Sequence, residues 1–479
     1  MLRFTLIIII VLFNTILLAQ VPDIQWIKIF GNDVVIDRGN SVLQTSDGGY
    51  IITGYTEDPG GNAGVWLIKT DSLGDTIWTK TFGGNFRAEG NSIDSTSDGG
   101  YIITGSRHYF VGDVWLIKTD AKGDTLWSKI LGLGRTSIGN SVKQTADEGY
   151  IITGTHGNLE LIKTDSNGDT VWTKVHGDNL HDEGNSVQQT NDGGYIIAGN
   201  ANVRYPNGGG NNGNGKFKSN LWLIRTDANG DTLWTKTFGD SCVARGFSVQ
   251  QTADSGYIIT GSIGQSTPPI LLPKSIGEND FGGIWLVKTN ADGDTLWTKI
   301  FGKGGDSGYS VQQTSDGGYV ITGTIGLIKT DVNGDSTWIL RFEGEGYSIQ
   351  QTSDGGYIIT GIKDGDVLLI KVAPAVTTIE EKPHVSVKEY QLQQNYPNPF
   401  NPATNIEYSV GAHRNMPVQV NLSIYNLLGQ KVATLVNKVQ PAGHYEVRWD
   451  ASGYPSGVYY YQLKNTGGFM QTRKLLLLK

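Results

Sequence analysis

Four short patterns of apolar residues, each closed by polar turn residues, recur in fixed order along most of the chain. Typical copies are Ser41-Val42-Leu43-Gln44-Thr45, Tyr50-Ile51-Ile52-Thr53-Gly54, Trp66-Leu67-Ile68-Lys69-Thr70 and Thr76-Ile77-Trp78-Thr79-Lys80. They are rich in Val, Ile, Thr, Tyr and Trp and are bounded by Gly and Asp, which predicts short β-strands, here termed a, b, c and d. The b tyrosine stands at Tyr50, Tyr101, Tyr150, Tyr195, Tyr257, Tyr319 and Tyr357. The d tryptophan stands at Trp26, Trp78, Trp127, Trp172, Trp234, Trp297 and Trp338.

Successive b tyrosines are 38 to 62 residues apart, and a four-stranded unit of roughly 40–50 residues is the blade of a β-propeller. Phase separates a closed ring from an open solenoid. The repeats begin on a lone d strand (Trp26 to Phe30) and end after a c strand (Leu368 to Val372), so the first strand supplies what the last unit lacks. That arrangement closes a ring, whereas a solenoid gains nothing from it and needs polar caps. The expected fold is all-β: a seven-bladed β-propeller over residues 21–373, with the N-terminal d strand closing the last blade.

Charge and composition narrow the function. Lys plus Arg is 38 against 46 Asp plus Glu, a net charge of −8, which argues against a nucleic-acid partner and its basic stripe. Gly at 66 with Pro at only 14 indicates many tight turns. Cys242 is the one cysteine, which excludes an intramolecular disulfide and a cysteine-based zinc site. Residues 1–20 carry Arg3 and apolar runs Leu6–Phe13 and Ile16–Ala19, the layout of a secretory signal peptide. Asn14 and Thr15 interrupt the run of about 20 apolar residues that a membrane anchor requires, so no membrane span is expected in the mature chain.

The turns offer chemistry that is mostly structural. Asp47-Gly48-Gly49 and its copies suit the positive φ of tight hairpins. The surrounding Thr45-Ser46-Asp47-Gly48-Gly49 resembles the Asp-box of sialidases, with the final aromatic replaced by Ile52. The resemblance implies stiffened propeller turns, not sialidase activity. The c–d turn Asp71-Ser72-Leu73-Gly74-Asp75 recurs at Asp120, Asp165, Asp227, Asn290 and Asp331. It is similar to the tryptophan-docking repeat of quinoprotein-type propellers, one residue shorter between Asp and Gly, which implies that each tryptophan packs blade on blade. No quinone-binding residue carries over. No cofactor is expected; the alternative is calcium at loops such as Asp165–Asp169, which are too short for an EF-hand and lack its distal Glu. Gly305-Asp306-Ser307-Gly308 spells a trypsin-like nucleophile motif without the His–Asp framework that would make it one.

In such a blade the a–b and c–d turns share one end, and the b–c and d–a connections share the other. The first set is uniform; the second holds all the length variation, including the insertions 200–220 and 262–283. Variable loops on a rigid scaffold are where binding resides, so Arg107, His108, Tyr109, Arg204 and Tyr205 are candidate ligand-binding residues. The residue before the Gly that opens strand a also escapes copying. It is Arg38, Glu89, Ile138, Glu183, Arg245, Ser307 and Glu345 around the ring, and its charged members are candidates at the channel mouth.

Residues 374–390 mix Thr, Glu, Lys, Pro and Val without period and read as a linker. Beyond them stand Tyr396-Pro397-Asn398-Pro399-Phe400-Asn401-Pro402 and Ile424-Tyr425-Asn426-Leu427-Leu428-Gly429-Gln430-Lys431-Val432. Ser456-Gly457-Val458-Tyr459-Tyr460 and the closing Lys474-Leu475-Leu476-Leu477-Leu478-Lys479 follow. Together these resemble the type A C-terminal sorting domain of the type IX secretion system of Bacteroidetes, over 391–479. The resemblance implies a small Ig-like sandwich, the type IX secretion machinery as partner, and a secreted or outer-surface destination. Strands over 417–425, 431–436, 443–449 and 457–463 are expected from alternation alone. The expected role is an exported binding scaffold for extracellular carbohydrate or protein. A glycan-active hydrolase or lyase and a passive surface component are the alternatives.

Overall fold

The computed structural model describes residues 21–31, 35–57, 63–83, 87–108, 112–131, 137–178, 181–204, 217–239, 242–265, 282–375, 390–410, 418–440, 443–465 and 468–478. The expected signal peptide at 1–20 and nearly all of the expected linker lie outside them. Every regular element among the described residues is a β-strand. The chain divides into two compact units, Met1–Thr377 and Thr378–Lys479.

The first unit holds seven four-stranded antiparallel sheets among its described residues. Sheet one runs a to d as Arg38–Gln44, Tyr50–Glu57, Ala63–Thr70 and Thr76–Phe82, and the next five follow the same order along the chain. Sheet seven takes its outer strand from the N-terminal end. Ile24–Phe30 pairs with Asp366–Val372, from Ile24 opposite Val372 to Phe30 opposite Val367. Strands b and c are buried at almost every position, as in Tyr50–Glu57 and Ala63–Thr70, while d strands such as Thr76–Phe82 alternate exposed and half-buried residues. A strand covered by neighbours on both faces reads as a continuous apolar run, which is why b and c are Tyr-Ile-Ile and Leu-Ile while d alternates.

One serine in each a strand joins its sheet to the next. The hydroxyl of Ser41 accepts the Ile93 amide, Ser92 that of Val142, Ser141 that of Val187, and Ser186 that of Val249. Ser248 then accepts from Val311, Ser310 from Ile349, and Ser348 from Val42, at 3.2–3.4 Å throughout. The series returns to its start, so the sheets form a closed, propeller-like cycle.

Tryptophan supplies the apolar contact between sheets. Trp127 meets Tyr150 of the following sheet edge-on at 5.9 Å, and Trp172–Tyr195 and Trp297–Tyr319 repeat the geometry at 5.9 and 5.7 Å. The same rings cap the glycine of the following c–d turn. Gly123 sits at φ +78°, and a Cβ there would lie 2.5 Å from the Trp78 ring. Left-handed strain and overpacking therefore combine, and Gly123→Ala is expected to cost about 2–5 kcal/mol. Gly99 has a similar φ of +83° but open space around it, so Gly99→Ala should cost about 1–2 kcal/mol. Equal melting temperatures for the two variants would refute the docking account.

The second unit contains a three-stranded sheet (Gln391–Leu392, Ala403–Val410, Gly443–Asp450) and a four-stranded sheet ordered Lys431–Gln440, Val418–Tyr425, Gly457–Asn465, Met470–Leu477. Leu392, Ile406 and Trp449 from one sheet and Ile424, Tyr461 and Leu475 from the other share one buried core. Four of these strands fall where alternation placed them. Ala403–Val410 and Met470–Leu477 were hidden because Pro-rich and Leu-rich motifs mask their period.

Candidate functional site

The two ends of the sheets differ in kind. At the a–b turn end, Asp47 accepts hydrogen bonds from the Thr45 hydroxyl at 2.6 Å, the Gly49 amide at 3.0 Å and the Lys69 ammonium at the end of strand c. Asp98–Lys118, Asp147–Lys163, Asp254–Lys288, Asp316–Lys329 and Asp354–Lys371 repeat the pair at 2.8–2.9 Å, and Asp192–Arg225 replaces lysine with arginine. The cations are buried, with side chains only 4–7 % exposed, whereas the aspartates are about half exposed. Burial pushes the Asp47 carboxyl up, but the hydrogen bonds from Lys69, Thr45 and Gly49 outweigh it and hold it at about 2. Asp98 and Asp354 are held at about 2 by the equivalent groups.

The c–d turns are internally satisfied. Asp71 accepts the Leu73 and Asp75 amides at 2.9 Å, while Asp75 pairs with Lys28 of the preceding sheet at 2.6 Å. Lys80–Asp124, Lys129–Asp169, Lys174–Asp231, Lys236–Asp294 and Lys299–Asp335 continue this series. Among the described residues no group of three or more His, Cys, Asp or Glu is placed to hold a metal ion.

The opposite end carries the sequence candidates. Arg38 opens strand a of sheet one, with its guanidinium 3.8 Å from Glu89, 5.5 Å over the Tyr55 ring and 5.7 Å over the Tyr347 ring. Its Nε is buried without a hydrogen-bond partner. Glu89 also accepts from Asn40, Glu345 accepts from the Tyr347 hydroxyl at 3.2 Å, and Glu183 accepts from Asn200 at 2.9 Å. Arg245 stands exposed in its strand. Arg107, opposite Ala88 in the strand register, stacks 5.6 Å over Trp115. His108 and Arg204 end their b strands, but their side chains, like Tyr109 and Tyr205 entirely, lie outside the described residues. The structure thus gathers Arg38, Glu89 and Glu345, while Glu183 pairs with Asn200 and Arg107 stacks on Trp115.

Sequence reasoning missed the adjacent position. In every a strand the register slips between Gly39 and Ser41 or their equivalents, opposite Gly54 or its copies. One extra residue is thereby bulged out, a device that re-aims a side chain. A Cβ on Gly54 would overlap the Arg38 carbonyl oxygen, so the bulge is built into the glycine of strand b. The bulged residue is asparagine in four consecutive sheets. Asn40, Asn91, Asn140 and Asn185 each donate to the Gly carbonyl of the next sheet at 2.8–3.0 Å. In the remaining three sheets it is Phe247, Tyr309 and Tyr347, whose rings stand 5.4 and 5.1 Å apart in sequence. The break was visible in the chain as Gly-Asn-Ser giving way to Gly-Phe-Ser and Gly-Tyr-Ser. Immediately along the same strands, residues including Ser41, Ser186, Ser248, Ser310 and Ser348 line a channel of about 370 Å³.

Two enzyme-like clusters are local structure. Asp306 accepts the Lys303 amide and the Thr324 hydroxyl, and Ser307 donates its amide to Thr324, so the trypsin-like letters form a turn. His156 lies 2.6 Å from the Ser137 hydroxyl, and Ser137 is fully buried.

In the second unit the C-terminal motifs converge on the last strand. The Asn398 side chain accepts the Leu476 amide at 2.9 Å, and Phe400, buried, exchanges backbone hydrogen bonds with Leu476 and Leu478 at 3.0 Å. Pro397 and Pro399 follow cis peptide bonds. Gly457, Val458 and Tyr459 pair with Leu477, Leu476 and Leu475, and Lys474 pairs with Tyr460. Gly429 turns at φ +75° within the Asn426–Gln430 loop, where Asn426 accepts the Gln430 amide. Lys479 lies outside the described residues.

Residues 394–478 match the secretion system C-terminal sorting domain. No curated protein matches the chain. Solved structures similar to it include YCF48 bound to D1 peptide, 11 % identical over 75 % of this chain and 99 % of that one, with a TM-score of 0.45. The Pan2 WD40 domain of Neurospora crassa is 10 % identical over 71 % and 90 %, with a TM-score of 0.44. Sqt1 of Chaetomium thermophilum is 12 % identical over 79 % and 97 %, also at 0.44. The chain carries a type IX secretion C-terminal sorting domain and is a secreted or outer cell-surface protein. That makes the type IX secretion machinery its partner in export.

Proposed function

We propose that the chain is an exported binding scaffold: a signal peptide over 1–20, a seven-bladed β-propeller over 21–373, a linker over 374–390 and an Ig-like sorting domain over 391–479. The closed serine cycle supports seven blades, and two sheets around one core support the Ig-like reading. Its ligand is an extracellular carbohydrate or protein, bound at the end of the sheets that carries Arg38, Glu89 and Glu345. One observation carries this assignment: the a–b turn end repeats its ion pairs in every sheet, while the opposite end breaks the repeat. Arg107, Glu183 and Arg245 stand at that same end, and the sequence candidates His108, Tyr109, Arg204 and Tyr205 are assigned to it with them by their place in the b–c connections. The Asp-x-x-Gly-Asp turns spend carboxylate oxygens on backbone amides and lysines, which supports a reading of binding without calcium.

A glycan array probed with the full chain, with and without calcium, tests this reading. Saturable binding equal in both conditions is expected, together with its loss when residues 200–220 are shortened or Arg38→Ala is introduced. Strict calcium dependence would instead assign the site to the Asp-x-x-Gly-Asp turns. A blank array would remove carbohydrate as the ligand.

A further inference from the structure

The aromatic interruption of the bulge ring identifies a more particular ligand, on the strength of the scaffold reading above. Asparagine at this position supplies a hydrogen bond between neighbouring sheets, a net contribution to folding. Three consecutive sheets forgo it and place rings there instead, although the glycines that create the bulge are kept. The folding role of the position is thus met in four sheets and given up in three. The three are adjacent, so Phe247, Tyr309 and Tyr347 form one continuous half-buried wall. Cyclic order sets Asn91 and Asn140 on the opposite side of the channel.

We propose that this juxtaposition, aromatic rings facing carboxamides at the end of the central channel, is a binding site for an uncharged saccharide. A pyranose ring is amphipathic: its C–H face packs on aromatic rings while its hydroxyls require donors and acceptors. The rings supply the first surface. An asparagine side chain has two N–H donors and a carbonyl acceptor; Asn91 spends one N–H on Gly139, while Asn140 donates to Gly184 and to Asn185 and offers its carbonyl oxygen. Charged ligands fit worse. The Arg38 guanidinium already covers Tyr347 and repels a second cation, and it is itself matched by Glu89. At the same end Arg245 and Arg107 stand against Glu345 and Glu183, so the rim carries no single sign that would favour an ionic ligand. The adjoining channel of about 370 Å³ falls within the roughly 300–1,000 Å³ of small-ligand pockets.

The repeat itself provides the test substitution. Tyr309→Asn installs the residue that four sheets already carry, within reach of the Gly346 carbonyl of the next sheet, so the fold tolerates it. The full chain is titrated calorimetrically with maltohexaose, cellohexaose, mannohexaose and chitin hexasaccharide. Saturable binding of at least one is expected, weakened tenfold or more by Tyr309→Asn at unchanged melting temperature. Phe247→Asn is expected to act in the same direction and serves as the second variant should Tyr309→Asn unfold. Unchanged affinity in a folded variant would overturn the assignment, as would stronger binding of tetramethylammonium or of a hexauronate than of any neutral sugar. If none of the four sugars binds while the array shows other ligands, this site falls and the scaffold reading stands. If the array is also blank, both lose their carbohydrate ligand.

Discussion

Deleting residues 21–31 is expected to lower the melting temperature by more than 10 °C and to drive self-association. The segment contributes the strand Ile24–Phe30, which pairs with Val367–Val372. Without it the Asp366–Val372 edge lies open, and an open apolar edge is a template for pairing with another chain. Trp26 is lost as well. It meets Tyr50 at 5.8 Å and caps Gly74 of sheet one, so the deletion removes the aromatic part of the contact between the last sheet and the first. It leaves Val42, Tyr50 and Ile52 against Ile358, Val367 and Leu369. Removing a large aromatic from such packing costs about 3–5 kcal/mol, a large part of the 5–15 kcal/mol by which folded domains are stable. Equivalent damage to an internal d strand would leave the chain continuous on both sides; here the strand is also the covalent tie of the first sheet to the last, beside the Val42–Ser348 and Gln44–Gln350 hydrogen bonds. Thermal melts with size-exclusion chromatography decide the matter. A monomeric deletion variant melting within 3 °C of the parent would show that the closure contributes little.

The strands were legible because the repeat presents each of them seven times. A run such as Tyr-Ile-Ile-Thr-Gly is ambiguous once, but its recurrence before Lys and after Asp-Gly fixes it as a buried strand. The closing role of Trp26 followed from phase, which needs only order along the chain. The ring of bulges was not legible in the same way. Its cause is a pair of glycines in different strands, Gly39 opposite Gly54, and only register brings them together. In sequence the variation of charge marks Arg38 and Glu89, and no change of charge marks the next residue but one, where asparagine yields to Phe247, Tyr309 and Tyr347. The partnership of Asp47 with Lys69 is hidden for the same reason. The two residues are 22 apart in sequence, and each has a local role of its own, the aspartate as a turn former and the lysine as the end of a strand. In the second unit, Asn398 and Leu476 lie 78 residues apart, so their motifs could be recognised as a combination without revealing that they touch.

Two aspartates in one sheet, similar on paper, are expected to behave in opposite ways. Asp98 partners Lys118, whose side chain is 4 % exposed, while Asp124 partners Lys80, which is 39 % exposed. Asp98→Ala leaves the Lys118 ammonium buried with the Thr119 carbonyl as its remaining partner. Stranding a buried charge costs about 3–5 kcal/mol. Because Asp98 is itself half exposed, water screens part of that, and about 3 kcal/mol is expected. Asp124→Ala should leave the melting temperature in place, since Lys80 simply returns to solvent. The difference must also depend on pH. Asp98 is held at about 2 in the fold against about 3.9 in an unfolded chain. Its contribution is therefore complete above pH 4 and vanishes as pH falls through about 2. Wild type and Asp98→Ala should accordingly converge in stability between pH 4 and 2, while Asp124→Ala tracks wild type throughout. Adding Lys118→Met to Asp98→Ala removes the stranded charge and should recover most of the loss, because a buried ion pair replaced whole by apolar groups is close to neutral. An Asp98→Ala variant as stable as wild type at pH 7, or a double variant no better than the single, would show that the repeated pairs do not hold the turn end of the sheets.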